Sequence, residues 1–175
     1  MIDRRITKEN LDAIYAETYD FEKFKATDPC GLVYELMAHT DDQLDIELGA
    51  LFVAMITWGN RKAIRKAARH MLEEEMNWHP GHFVLSGKYE DSYADAKNGC
   101  VYRTLNSDNF KAVCRNIALA LSPLKPHPTV EKYLMGKSCE EAIKSLCDLL
   151  APAKLGTPGK SACKRMCMYM RWMTR

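Results

Sequence analysis

Two lysines, Lys160 and Lys164, stand four residues apart in the segment LGTPGKSACKRM of a 175-residue chain. That spacing is about one helical turn, so both amines share one face of a helix. A lysine attacks carbon only when neutral, and neighbouring cations together with desolvation lower its pKa toward that state. Arg165 supplies such a neighbour. The spacing thus sets two amines and a guanidinium side by side, and it does not choose between the lysines. Gly156 and Gly159 lie in the turn before them. Turn glycines let backbone N–H groups face outward beside the positive end of the next helix, which makes an anion site. Lys154, Lys160 and Lys164 would surround it, a tip shaped for phosphate. A nucleotide P-loop is excluded, because the glycines sit too close together and no strand precedes them.

Other reactive residues carry less. His79 and His82 form HPGH with His70 nearby, but the spacing suits no helical metal pair and no cysteine pair accompanies it. Cys139, Cys147, Cys163 and Cys167 are spaced too widely for an iron–sulfur loop. No metal and no cofactor is expected. Seven cysteines, an odd count scattered through apolar patterns, read as reduced thiols.

The formal charge of +2 hides an asymmetry. Residues 1–152 carry 19 Lys/Arg against 23 Asp/Glu, whereas residues 153–175 carry six against none. A localised basic stretch attracts polyanions, phosphate backbones first among them, or is a solvated face answered by acids elsewhere in the fold. At 47% hydrophobic and 27% charged residues, the composition is that of a globular chain without a run long enough to cross a membrane. The start, MIDRRITKENLDAIY, lacks the apolar core of a signal peptide, so a cytoplasmic protein is expected.

The elements that must position these residues read as helices throughout. Leu11, Ile14, Tyr15, Phe21 and Phe24 recur at helical intervals behind a Thr7 cap, until Asp28-Pro29 breaks the pattern. A short helix follows through Leu36. DDQLDIELGALFVAMITWGN is apolar around its circumference and predicts a buried central helix ended by Gly59-Asn60. Asn60 to Met76 reads as an amphipathic helix whose basic first half opposes the helix dipole. Residues 77–98 read as loop. Ser107 caps a helix to Leu121, Thr129 opens another to Met135, and Ser138 with Glu141 makes a capping box for a helix to Leu150. In the last helix Ala162, Met166, Tyr169, Met170 and Met173 share an inward face, leaving Lys164, Arg171 and Arg175 outside. The expectation is one all-α globular domain over residues 1–175 with seven to nine helices and a helix-hairpin-helix at about 138–174.

Leu155-Gly156-Thr157-Pro158-Gly159-Lys160-Ser161-Ala162 resembles the hairpin of the helix-hairpin-helix DNA glycosylase superfamily. That resemblance implies a DNA-glycosylase-like fold, double-stranded DNA as partner, and Lys160 as the Schiff-base nucleophile. Pro158 replaces the second hairpin glycine and removes one N–H donor. SACKR followed by RWM is also similar to the signature of an uncharacterised bacterial family of this architecture, as are Asp28-Pro29 and Tyr102-Arg103. That signature centres on Ser161 to Arg165 and makes Lys164 the rival nucleophile. AMITWGNRKAIRKAARHM resembles the superfamily region that fills the gap left by an extruded base, with Asn60 in the filling place; otherwise Asn60 is a helix cap. Trp58, Arg61 and Lys62 would then face DNA, with Lys154, Gly156, Gly159, Ser161, Arg165 and Arg171 at the hairpin.

The superfamily's catalytic aspartate would fall beyond Arg175, and no acid follows Asp148, so the expectation is a chain shortened at its C-terminal end, a catalytic acid from elsewhere, or a protein that does not catalyse. The functional expectation is a base-excision-repair-type protein, a DNA glycosylase with lyase activity on a damaged base. The alternatives are a non-catalytic DNA- or RNA-binding protein and a helical protein-interaction module.

Overall fold

The structure is a computed structural model that describes residues 7–94, 99–154 and 161–174, with side chains from 163 onward in the last stretch. Its architecture is all-α, and ten α-helices stand among the described residues where seven to nine are expected. Two local causes account for the extra helices. The first predicted helix divides into α1 (Lys8–Thr18) and α2 (Phe21–Thr27), because the Asp20 carboxylate accepts the Lys23 N–H at 2.9 Å and starts a new helix. The second is α6 (Pro80–Leu85), inside the predicted loop. Proline suits the first helical position, where no donor is needed.

The core is built on α4 (Gln43–Met55), whose Leu48, Leu51, Phe52 and Met55 have no solvent exposure. Burying each such side chain contributes about 1.5–3 kcal/mol. Around it pack α3 (Gly31–Leu36), α6, α8 (Val130–Leu134) and α10 (Ser161–Met173). Two buried carboxylates on α4 fix two of these neighbours. Asp45 accepts the Gly81 N–H at 2.6 Å, the Thr40 hydroxyl at 3.0 Å and contacts His79 Nδ1 at 3.0 Å. Glu47 accepts the N–H groups of Val130 at 2.5 Å and Glu131 at 3.1 Å, plus Gln43 Nε2 at 2.9 Å. Helix N-termini leave such donors open, and an anion there completes them. Burial nonetheless holds the Glu47 carboxyl above the ordinary glutamate range.

α5 (Arg61–His70) runs into one wide turn, Met71–Glu75. A small antiparallel hairpin, β1 (Cys100–Tyr102) with β2 (Leu105–Asn106), precedes α7 (Ser107–Leu121). The cap of α7 is Asn106, whose side chain accepts the Asn109 N–H at 2.8 Å, one residue before the predicted Ser107. α9 (Cys139–Leu149) carries both halves of the predicted capping box. On α10, Met166 and Tyr169 are buried and Met170 and Met173 half-buried, while Lys164 and Arg171 are exposed; the Ala162 side chain and Arg175 lie outside the described residues. The apolar stripe of α1 behaves differently: no residue of α1 or α2 is buried, and Tyr15 stacks on Tyr19 at 4.8 Å. Among the described residues, no helix is long and apolar enough to cross a membrane.

Candidate functional site

Three stretches distant in sequence enclose a cavity of about 490 Å³. The first is the corner between α2 and α3. Asp28 Oδ1 accepts the Cys30 N–H at 3.0 Å, and Arg65 Nη1 donates to the carbonyls of Asp28 at 2.5 Å and Lys25 at 3.1 Å. A side chain at Gly31 would overlap the Lys25 carbonyl, so the corner closes this tightly only with glycine there. It brings Phe24, Asp28, Cys30 and Tyr34 to the cavity.

The second wall is the turn after α4. Gly59 has φ +102°, which an L side chain rarely adopts, and Asn60 Oδ1 accepts from Lys62 N at 2.9 Å and Ala63 N at 3.3 Å. The chain thus reverses sharply and presents Trp58 and Arg61 to the cavity. Trp58 is held from two sides: the Tyr102 ring meets it edge-on at 5.0 Å, and the Arg165 guanidinium lies 5.1 Å from its centroid. Tyr102 also donates its hydroxyl to the Trp58 carbonyl at 2.8 Å.

The third wall is one stripe of α10, Met168, Arg171 and Trp172. Residues three and four apart on a helix face the same way. Lys164 occupies the same stripe one turn before Met168 and is exposed. Asp28 is the one acid among the lining residues. Among the described residues no carboxylate pairs with Arg61, Arg103 or Arg171, whereas Arg69 forks onto Glu35 and Arg115 onto Glu90. With Asp28 set against Arg61 and Arg171, the cavity lining carries an excess of positive charge.

The predicted site residues distribute unevenly about this cavity. Arg61 and Arg171 line it; Asn60 caps α5, with its side-chain oxygen occupied by backbone donors; Lys62 is exposed beside it. Arg165, expected among the DNA-binding residues of the hairpin, is only 7% exposed and lies over the Trp58 ring, its pKa lowered by burial. Lys154 is exposed and left-handed, φ +53°. Gly156, Gly159 and Lys160 lie outside the described residues, as does the side chain of Ser161, which opens α10. Sequence reasoning did not assign Trp172, Tyr34 or Arg103 to a site. Two short pairs, Asp28-Pro29 and Tyr102-Arg103, were the signal that could have drawn attention to these corners.

The remaining reactive groups take other places. His79 joins Asp45, and among the described residues no three His, Cys, Asp or Glu side chains are arranged to hold a metal ion. Among the described residues no cysteine is in a disulfide. Cys147 is buried where α9 meets α10, and desolvation followed by the nearby Cys163 pushes its thiol up to about 11.

Fold and site together define an all-α globular protein with an arginine-rimmed aromatic cavity. The chain belongs to the family described as Protein of unknown function (DUF2400), whose model matches residues 28–175. That match begins at Asp28 of the first wall and takes in Trp58, Arg61, Arg171 and Trp172. Neither the curated proteins nor the solved structures contain a match to it.

Proposed function

We propose that this protein binds DNA and takes an unstacked base into the cavity, as a base-excision-repair-type protein of the helix-hairpin-helix glycosylase kind. The observation that carries the reading is the conjunction of Trp58, Tyr34 and Trp172 in one cavity with Arg61 and Arg171. Its volume falls in the range of about 300–1,000 Å³ usual for small-molecule sites. Every base has a π-face, and stacking on an aromatic side chain is worth about 1–3 kcal/mol per base. That repays much of the few kcal/mol needed to extrude a base, least for a damaged one. Guanidiniums at the mouth fix the phosphates without reading sequence.

Lyase chemistry is the stronger form of the same reading. A neutral lysine amine attacks C1′ of the sugar as the base leaves with the glycosidic electrons and takes up a proton. The C1′–O4′ bond then opens, O4′ taking the amine's proton, and leaves a protonated imine that borohydride reduces. Lys164 stands on the cavity stripe of α10 and Lys160 is its rival. Asp28 is the acid this reading assigns to the developing sugar cation, since it lines the cavity.

The test is binding to a duplex containing an abasic site against an intact duplex, read by tryptophan fluorescence over a salt series. The expected result is preference for the abasic duplex and affinity that falls steeply with salt. Absence of affinity for either duplex at low salt overturns the proposal and favours a protein partner for the basic surface. A borohydride-trapped adduct lost in the Lys160→Gln, Lys164→Gln double variant supports lyase chemistry. An adduct that persists there removes both lysines, and binding without any adduct leaves a non-catalytic DNA-binding protein.

A further inference from the structure

The β1–β2 hairpin spends backbone strain to deliver one side chain. Arg103, at its tip, is left-handed with φ +51°, and it faces Gly59, itself at φ +102°. A Cβ on Gly59 would overlap Arg103 Nη1 and lie 3.4 Å from its Cζ, so the guanidinium rests directly on the backbone of the cavity wall. Conformations of this kind persist only where surrounding structure enforces them, and they gather at ligand sites. The enforcing contact here is the neighbouring Tyr102, buried and bonded to the Trp58 carbonyl.

Gly59, Arg61 and Arg171 line the cavity, and Arg103, which does not itself line it, rests against the Gly59 part of its wall. Arg103 and Arg171 are exposed, as is Arg61, and none of the three has a carboxylate partner among the described residues. Guanidinium forks match the oxygens of a phosphate, and a group of them favours a tetrahedral, doubly charged anion over a single carboxylate.

We propose that Arg61, Arg103 and Arg171 form a phosphate subsite at the cavity mouth, so that the ligand taken is a nucleotide, with its base among Trp58, Tyr34 and Trp172 and its phosphate on the three arginines. This deepens the proposed function and rests on its base-holding cavity. The phosphate comes either from a nucleic-acid strand or from a free mononucleotide, and the chemistry that recognises it is the same.

The full chain is titrated with deoxyadenosine, deoxyadenosine 5′-monophosphate and a single-stranded oligonucleotide, followed by tryptophan fluorescence, with thermal melting as the fold control. The monophosphate is expected to bind about tenfold tighter than the nucleoside, the worth of one charge-assisted hydrogen bond, and Arg103→Gln to abolish that advantage. For the oligonucleotide, Arg103→Gln lowers the slope of log affinity against log salt by about one. Arg171→Gln, at an exposed helical position, gives the same readout should the hairpin variant fail to fold. Equal affinity for nucleoside and monophosphate, together with an unchanged salt slope in both variants, overturns the subsite. A lowered slope without monophosphate binding assigns the phosphate to a strand. Monophosphate binding that depends on Arg103, with no oligonucleotide binding, keeps the subsite while the DNA reading fails.

Discussion

Gly59→Ala tests the geometry of the cavity mouth most directly. The new methyl group would need a backbone with φ +102° and would occupy the position of Arg103 Nη1, with the Tyr102 hydroxyl only 3.3 Å away. Placing an L side chain in left-handed backbone costs about 1–2 kcal/mol. Loosening the Tyr102 hydrogen bond to the Trp58 carbonyl adds about 1 kcal/mol. The expected loss is thus roughly 2–3 kcal/mol, and at about 2–4 °C per kcal/mol for a chain of this size, melting falls by roughly 4–12 °C. Arg103 is the flexible partner and swings aside first, so monophosphate affinity falls alongside stability. Removing the obstructing side chain as well, in Gly59→Ala with Arg103→Ala, restores the part of the loss that comes from the collision and leaves the backbone part. Differential scanning fluorimetry and the fluorescence titration read both. Wild-type melting in Gly59→Ala would refute the strained turn, and wild-type monophosphate affinity would refute the placement of Arg103.

Glu47→Gln should reshape the pH dependence of stability. Because burial raises the Glu47 carboxyl in the fold, its contribution is full below the ordinary glutamate range and declines as pH rises through the folded value. Urea denaturation from acid to neutral pH should therefore show a decline that flattens in the variant, with about 1–3 kcal/mol lost below that range as an N–H acceptor is replaced. Asp45→Ala leaves the buried Gly81 N–H without its 2.6 Å acceptor, and chemical denaturation should report a loss of about 1–3 kcal/mol. Trp172→Ala should weaken oligonucleotide binding by about 1–3 kcal/mol, the worth of one stacked base. Trp78→Phe should leave it unchanged, since Trp78 stacks on His39 and lines no part of the cavity.

What could be read from sequence is what short-range chemistry decides. The Ser138 capping box, the buried character of α4 and the inward stripe of α10 each depend on residues within a few positions, and each is found in place. The break at Asp20 and the helix start at Pro80 were local too, but a polar residue amid apolar periodicity and a proline in a glycine-rich stretch also read as continuation and as loop. The cavity was not legible, because its walls come from residues 24–37, 57–64 and 168–172, and nothing in one stretch announces the others. Arg165 illustrates the limit: sequence named it as a cation beside the lysine pair, but nothing local announced the indole ring more than a hundred positions away over which its guanidinium lies.

The distance in sequence between the walls has a thermodynamic consequence. Whatever fills the cavity touches α10 on one side and the α2–α3 corner on the other, so occupancy and the docking of α10 are linked equilibria. A ligand that binds only the closed arrangement lends it RT ln(1 + [L]/Kd) of stability. Amide hydrogen exchange should then slow on ligand addition in α10 and at Cys30 to Tyr34 together, while α7, which lines no part of this cavity, exchanges as before. Under the proposed function, Trp172 on α10 would then couple occupancy of the cavity to the docking of that helix.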